Sequence, residues 1–159
     1  MNRTLIASLL ALSLSVSLGA AFAADTTPVA PTDKLAVARA QIAAKNWAGA
    51  IDELKRVNDT GSADWNNLMG YSLRKAKTPD LEGSEKFYNE ALRIDPKHRG
   101  TLEYSGELYL MKGDLATAEQ RLATLEKVCS ASCAEYTELK NAIARYKASG
   151  NKVVAGGSY

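Results

Sequence analysis

Two cysteines four residues apart are the side chains whose type and spacing suit chemistry best. Cys129 and Cys133 are the only cysteines of the chain. In an oxidising compartment such a pair forms a disulfide, and this spacing reaches bridging distance in a helical turn or a tight loop. The alternative is a thiol-redox or metal-handling C-x-x-x-C pair, although no thioredoxin-like βαβ pattern surrounds it. We predict a structural disulfide and keep the redox or metal role as the alternative.

The other candidates for chemistry are one histidine and two glutamates. His98 follows a proline turn, which is typical of a solvated loop residue rather than a general base. Glu103 and Glu107 lie four residues apart on a predicted helix, and they could act as acid and base only in a walled pocket. The H-E-x-x-H, G-x-S-x-G, P-loop and G-x-G-x-x-G motifs are absent. The sequence therefore favours a protein that is not an enzyme and has no cofactor.

Composition narrows the class of partner. The chain has 159 residues, enough for one compact unit, and 20 Lys+Arg against 18 Asp+Glu give a formal net charge of +2. Such a balance gives no case for nucleic-acid binding through bulk charge. A single histidine and two cysteines exclude a multi-histidine metal site and a disulfide-dense miniprotein.

The N-terminal stretch has the pattern of a secretory signal peptide. Arg3 precedes an apolar run over 5–18, and alanines at positions 21 and 23 form an Ala-x-Ala cleavage site. A membrane anchor is the alternative, since 4–24 is uncharged and long enough to span a bilayer. The serines and the Ala-x-Ala ending favour cleavage after Ala23. We therefore predict a signal peptide at 1–23, a flexible lead at 24–31, a periplasmic location and no stable membrane insertion.

A period of 34 residues organises the remainder. Turn residues at positions 46, 80 and 114 are each followed, eight residues later, by Leu54, Tyr88 or Leu122. A small residue lies between them, and the apolar positions i, i+4 and i+7 fall on one face of a helix. A second helix precedes each block, with predicted bounds of about 33–45, 63–75 and 101–112. Each of these has a small residue that permits close packing, namely Ala38, Gly70 and Gly106.

These blocks resemble the tetratricopeptide repeat, a helix–turn–helix unit of 34 residues. The resemblance covers most of the chain after the signal, and the sequence from Ala91 to Pro96 is similar to the family's repeat ending. It implies an all-α fold, a right-handed superhelical stack of three helical hairpins over 32–62, 63–98 and 99–132. An amphipathic segment at 135–147 is predicted to be a capping helix that completes a domain over 32–148. The Gly-rich tail at 149–159 is predicted to be disordered.

The resemblance also implies a concave face that is lined by the first helix of each repeat and binds a peptide or a helix of another protein. On that face Asn67 would hydrogen-bond a peptide backbone, Arg74 would hold a carboxylate, and two apolar residues of the third repeat would receive an apolar side chain. The alternative to a specific binding site is that these residues form an ordinary solvent-exposed helix surface. The predicted lining residues are Asn67, Tyr71, Arg74, Lys75, Glu103, Glu107, Leu110 and Met111.

The sequence thus predicts a non-enzymatic interaction adaptor of the periplasm, with a protein or peptide partner and no nucleic acid. One alternative is a periplasmic chaperone that holds unfolded or envelope proteins. The other is the thiol-redox or metal-handling protein built on Cys129 and Cys133.

Overall fold

The structure, a computed structural model, describes residues 33–129 and 132–153. The predicted signal peptide, the lead and the end of the predicted tail lie outside these residues. The described part of the chain is all-α, with seven helices and no strand, as the repeat pattern predicts. The helices are α1 (Ala36–Ala43), α2 (Trp47–Val57), α3 (Ala63–Lys75), α4 (Leu81–Ile94), α5 (Arg99–Met111), α6 (Leu115–Cys129) and α7 (Ala134–Ala148).

The turn residue of each repeat caps the second helix of a hairpin. Asn46, Asp80 and Asp114 precede α2, α4 and α6, and each side chain accepts a hydrogen bond from the backbone N–H three residues later. The three distances are 3.2, 2.8 and 3.0 Å. An acceptor at this position satisfies one of the donors that the first helical turn leaves unpaired. The 34-residue period of the sequence is therefore a period of helix starts.

The small residues of the first helices admit side chains from neighbouring helices. A Cβ atom added at Gly70 would lie 2.8 Å from the ring of Tyr88, which is completely buried on α4. A Cβ atom added at Gly106 would lie 2.6 Å from Leu139 of the cap helix α7. Ala38 is completely buried at the equivalent place on α1. These residues allow the helices to approach closely.

The apolar residues form two clusters along the stack. The first lies between α1, α2 and α3 and includes Leu54 and Trp65, whose indole N–H donates to the carbonyl of Leu54 at 2.7 Å. The second lies between α5, α6 and α7 and includes Leu102, Leu125 and Leu139. The predicted capping helix thus completes the second cluster, and without this helix one side of the cluster would be exposed to solvent.

The stack has an inner face, formed by the odd-numbered helices. Among the described residues α1 contacts α3, α3 contacts α5, and α5 contacts α7, whereas α2 and α4, or α4 and α6, are not in contact. Neighbouring first helices are therefore closer than neighbouring second helices. No described helix has the length and apolar character needed to cross a membrane.

Candidate functional site

Three aromatic rings follow one another at the inner face, one from the first residue of α2 and two from the odd-numbered helices α3 and α5. The rings of Trp47 and Tyr71 meet edge to face with centroids 5.8 Å apart. Tyr71 on α3 and Tyr104 on α5 lie at 4.5 Å with a tilt of 31°. These are favourable separations for aromatic pairs. All three side chains remain half-buried, so the ladder of Trp47, Tyr71 and Tyr104 presents an aromatic surface to solvent.

A buried arginine lies against this ladder. The guanidinium carbon of Arg74 is 5.5 Å from the centroid of Tyr71 and 5.7 Å from that of Tyr104. Its Nη2 atom donates to Oε2 of Glu107 at 2.7 Å, and the Arg74 side chain is completely buried. A charge removed from water in this way is stable only with its partner in place. Arg74 therefore joins α3 to α5 through an ion pair and two ring contacts.

Glu103 forms a carboxyl cluster with residues of α5 and α7. It is 4% exposed, and the neighbouring groups that most affect it are the carboxyls of Glu107, Glu135 and Glu138. Burial, followed by a hydrogen bond with Glu138 and the charge of Glu107, raises the pKa of Glu103 to about 9. A pKa this high favours the protonated form of the Glu103 carboxyl at neutral pH. An adjoining pocket of about 320 Å³ is lined by Glu107, Glu138, Asn141 and Arg145.

A second polar junction joins α3 to the start of α5. The side chain of Asn67 accepts a hydrogen bond from the Thr101 hydroxyl at 3.1 Å, and both residues are buried. His98 is the N-cap of α5, because its Nδ1 accepts from the Thr101 N–H at 3.1 Å, while Nε2 lies 2.8 Å from Asp64 Oδ1. His98 lies in the loop before α5, as expected, but its side chain is only 15% exposed, so the expected solvated position is wrong. The histidine holds a helix start, which a proline turn in the sequence does not reveal.

Asp64, His98 and Thr101 have the residue types of an acid–base–nucleophile triad. Nδ1 of His98 is 2.8 Å from the Thr101 hydroxyl. Thr101 is completely buried, so its oxygen is not open to a substrate. The arrangement consequently serves as a helix cap and an interhelical link.

The structure brings together most of the predicted groove residues but leaves few of them free. Tyr71, Arg74, Glu107 and Met111 meet at one place, with Met111 Sδ 4.0 Å from Arg74 Nη1. Glu103 and the half-buried Lys75 act electrostatically on the same group of residues.

Three predicted roles in the groove need correction. Asn67 is 6% exposed, and its side-chain oxygen accepts a hydrogen bond from Thr101. Arg74 is buried and paired with Glu107. Neither side chain is therefore accessible to a peptide. Leu110 is completely buried and belongs to the apolar cluster of α5, α6 and α7. Each lies on the correct helix, but a neighbouring helix covers the side chain.

The sequence reasoning missed Trp47, Tyr104 and Glu138 as residues of the inner face. Tyr104 follows Glu103 directly, and Glu138 lies on the predicted cap helix, which was expected only to shield the stack. The sequence does contain a signal for Tyr104. Tyr71 and Tyr104 fall at nearby positions of the first helices of successive repeats, so both could have been placed on the same face.

The cysteine pair lies at the junction between α6 and α7. The sulfur atoms of Cys129 and Cys133 are at disulfide-bonding distance, and their Cα atoms are 5.6 Å apart, within the usual range. This confirms that the two residues can pair, as the spacing predicts. Within the described residues, no three side chains of histidine, cysteine, aspartate or glutamate are grouped as metal ligands.

Comparisons with protein-family models and with curated sequences identify no relative of this chain. The chain matches no protein-family model, and no curated protein matches its sequence. The functional interpretation therefore depends on the inner face and on the repeat pattern.

Proposed function

We propose that this protein is a non-enzymatic interaction adaptor, with tetratricopeptide-like repeats that bind a peptide or a helix of a partner protein on the inner face. The observation that supports this best is the half-buried aromatic ladder of Trp47, Tyr71 and Tyr104, whose two tyrosine rings lie against the paired Arg74. Aromatic residues on a rigid backbone supply most of the affinity in many protein interfaces. The repeat spacing and the chain's pattern of helix caps support the family assignment.

The polar groups of the inner face favour binding over catalysis. Arg74 pairs with Glu107 and Asn67 accepts from Thr101, and so these polar groups join the helices that carry the aromatic rings instead of activating a nucleophile. The inner-face residues that a partner can reach are half-buried or exposed, namely Tyr71, Tyr104, Met111, Glu138 and Asn141. The signal peptide predicted from the sequence supports a periplasmic partner.

Site-specific photo-crosslinking of the full chain tests this proposal. A benzoylphenylalanine in place of Asn141 puts the crosslinker in the inner-face pocket, and the same residue in place of Lys127 puts it on exposed α6. We expect one partner to be captured in stoichiometric amount from Asn141 and not from Lys127. Equal capture from both positions contradicts an inner-face adaptor, and capture of many unfolded chains supports the chaperone alternative.

Two tyrosines of α5 supply a matched pair of variants for the captured partner. Tyr104 lies on the ladder, whereas Tyr109 donates a hydrogen bond to Glu85 of α4 at 2.9 Å. Loss of a central aromatic anchor costs about 2 kcal/mol or more in many interfaces. We expect Tyr104→Ala to weaken binding at least about tenfold and Tyr109→Ala to leave it close to the parent value.

A further inference from the structure

We propose that His98 is a pH-dependent switch at the joint between α3 and α5. In its neutral form the imidazole ring caps α5, and in its protonated form it releases this cap and completes a chain of hydrogen bonds from Asp64 through Thr101 to Asn67. The inference goes beyond the adaptor function and does not depend on it. It is carried by the contacts of the two ring nitrogens and of the Thr101 hydroxyl.

Asp64 determines which ring nitrogen carries the hydrogen of neutral His98. Nε2 of His98 lies 2.8 Å from Oδ1 of Asp64. The hydrogen bond with His98 and the charge of Arg39 lower the pKa of Asp64, so this carboxylate is ionised at neutral pH and can only accept. A neutral imidazole has a single N–H, which therefore lies at Nε2. Nδ1 is left as an acceptor, and this is the state in which it caps α5.

The Thr101 hydroxyl lies between two acceptors. Its oxygen is 2.8 Å from Nδ1 of His98 and 3.1 Å from Oδ1 of Asn67. A hydroxyl has one hydrogen, so it can donate to one of these atoms but not to both. When Nδ1 is an acceptor, it attracts this hydrogen, since two lone pairs would otherwise meet at 2.8 Å. The protonation state of Nδ1 thus decides which acceptor the hydroxyl uses.

Protonation of His98 reverses the role of Nδ1. Both nitrogens of an imidazolium are donors, so Nδ1 can no longer accept from the Thr101 N–H at 3.1 Å, and the cap of α5 is lost. The Nδ1–H donates to the Thr101 hydroxyl oxygen instead, and the hydroxyl hydrogen goes to Asn67. A charge-assisted bond to Asp64 completes the chain at the other end. Protonation therefore exchanges a helix cap for a continuous link between α3 and α5.

Charges of both signs surround the ring. The carboxylate of Asp64, whose other oxygen is held by Arg39 of α1 at 2.9 Å, favours the imidazolium, whereas the positive end of the α5 macrodipole opposes it. The His98 side chain is 15% exposed, so water reaches it, and histidine is the residue type that changes charge between about pH 5 and 8. The other charged groups beside His98 line a pocket of about 540 Å³ and are Asp95 and Lys97 in the preceding turn, Arg99 on α5 and Glu135 on α7.

The switch lies one helical turn from the aromatic ladder. Asn67 precedes Tyr71 by four residues on α3, and Thr101 precedes Tyr104 by three residues on α5. Asn67 and Thr101 are both buried, so a change in their hydrogen bond acts between the helices and not at the surface. The state of His98 should therefore be visible in the signals of the two tyrosine rings.

Nitrogen-15 NMR of the full chain between about pH 5 and 8 tests the inference. At the upper end we expect a hydrogen on Nε2 of His98, none on Nδ1, and a protected amide at Thr101. At the lower end we expect both ring nitrogens to be protonated and the protection factor of the Thr101 amide to fall about fivefold, the effect of losing one helix cap. The internal control is the Gly49 amide, because the Asn46 oxygen that caps it at 3.2 Å does not titrate.

Each of three results would overturn the inference. The first is a hydrogen on Nδ1 and none on Nε2 at about pH 8, and the second is a His98 ring that is still neutral at about pH 5. The third is a Thr101 amide whose protection stays constant while His98 takes up its proton.

Variants assign the effect to the hydrogen-bond chain. His98→Asn retains a capping oxygen without a titrating group, so the protection of the Thr101 amide should no longer depend on pH. Thr101→Val removes the hydroxyl that accepts from the protonated ring, and His98 should then take up its proton about half a pH unit lower. Thr117→Val is the matched control, because it removes a hydroxyl that donates to the α6 cap Asp114 at 2.6 Å. An equal shift in both threonine variants would contradict the chain.

Discussion

The Arg74–Glu107 pair joins α3 to α5 through charges that are both removed from water. Their side chains are 0% and 10% exposed. Arg74→Ala should lower the free energy of unfolding by about 3 to 5 kcal/mol, because the carboxylate of Glu107 loses its buried partner. Urea denaturation of the parent and the variant measures this loss.

The control for that variant is an ion pair at the surface. Arg93 binds Glu90 on the exposed side of α4, where the arginine side chain is 71% exposed. Arg93→Ala should leave the unfolding midpoint close to the parent value, because water screens such a pair. If the two variants lose equal stability, the burial of Arg74 has no special energetic role.

The carboxyl of Glu103 should make stability depend on pH in an unusual direction. Its pKa rises from the usual 4.5 to about 9 in the folded chain, because burial and the neighbouring carboxyls of Glu138 and Glu107 disfavour the charge. The folded state therefore holds more protons than the unfolded state across that interval, and the stability contributed by Glu103 is lost as pH rises through it. Glu103→Gln should flatten this decline in urea titrations, and Glu126→Gln should not. A decline that is unchanged in Glu103→Gln would place the titrating group elsewhere.

The limits of sequence reasoning at this scale are visible in Arg74 and Leu110. A helical period gives the side of a helix on which a residue lies, and both residues were assigned to the correct helix. It does not give the residue opposite, and so the partner of Arg74 on α5 and the contact of Leu110 with the second apolar cluster were not predicted. The sequence predicts that the polar residues along one face of α3 are available to a partner, whereas Arg74 and Asn67 form bonds that join α3 to α5.

At the scale of elements, the sequence predicts most helices well, because the apolar period marks their extent and Asn46, Asp80 and Asp114 mark three of the helix starts. The first helix of the second repeat was predicted at 63–75 and is Ala63–Lys75, and the cap was predicted at 135–147 and is Ala134–Ala148. The first helix was predicted at 33–45 and is shorter, Ala36–Ala43, since its N-cap Leu35 has no side-chain hydrogen bond. The handedness of the stack stays a prediction.

Close packing of α3 against α4 depends on the missing side chain at Gly70. A Cβ atom there would lie 2.8 Å from the Tyr88 ring and 3.1 Å from the Ser84 carbonyl oxygen. Overpacking costs about 1 to 3 kcal/mol, which should exceed the gain of about 1 kcal/mol in helix propensity, because Tyr88 is completely buried. Gly70→Ala should thus lower the melting temperature. Gly61→Ala is the control, since nothing lies within 4 Å of its added Cβ atom, and equal effects of the two variants would contradict the packing argument.

The cysteine pair ties α6 to the cap helix. Cross-linking so short a loop stabilises a protein by about 2 kcal/mol in the chain-entropy treatment. Replacing Cys129 and Cys133 by serine should reduce stability by that amount and raise hydrogen exchange at the start of α7. Titration of the purified protein with a thiol reagent should find no free thiol, and two free thiols under oxidising conditions would support the redox alternative.

The described residues form two apolar clusters, with a polar and aromatic layer between α3 and α5. One cluster lies in α1, α2 and α3, the other in α5, α6 and α7, and the layer between them on the inner face consists of Tyr71, Arg74, Tyr104 and Glu107. In a stack of repeats each unit contacts only its neighbours, so stability is close to a sum of local contributions. The candidate binding surface lies at the joint between the two clusters, where a partner would contact both.

A matched pair of core truncations tests this division. Leu54 and Leu139 are each completely buried, one in either cluster, and Leu→Ala changes at such positions cost about 2 to 5 kcal/mol. Because openings in a repeat stack are local, we expect Leu54→Ala to speed amide hydrogen exchange mainly in α1–α3 and Leu139→Ala mainly in α5–α7. Exchange that rises uniformly in both variants would show one cooperative unit instead.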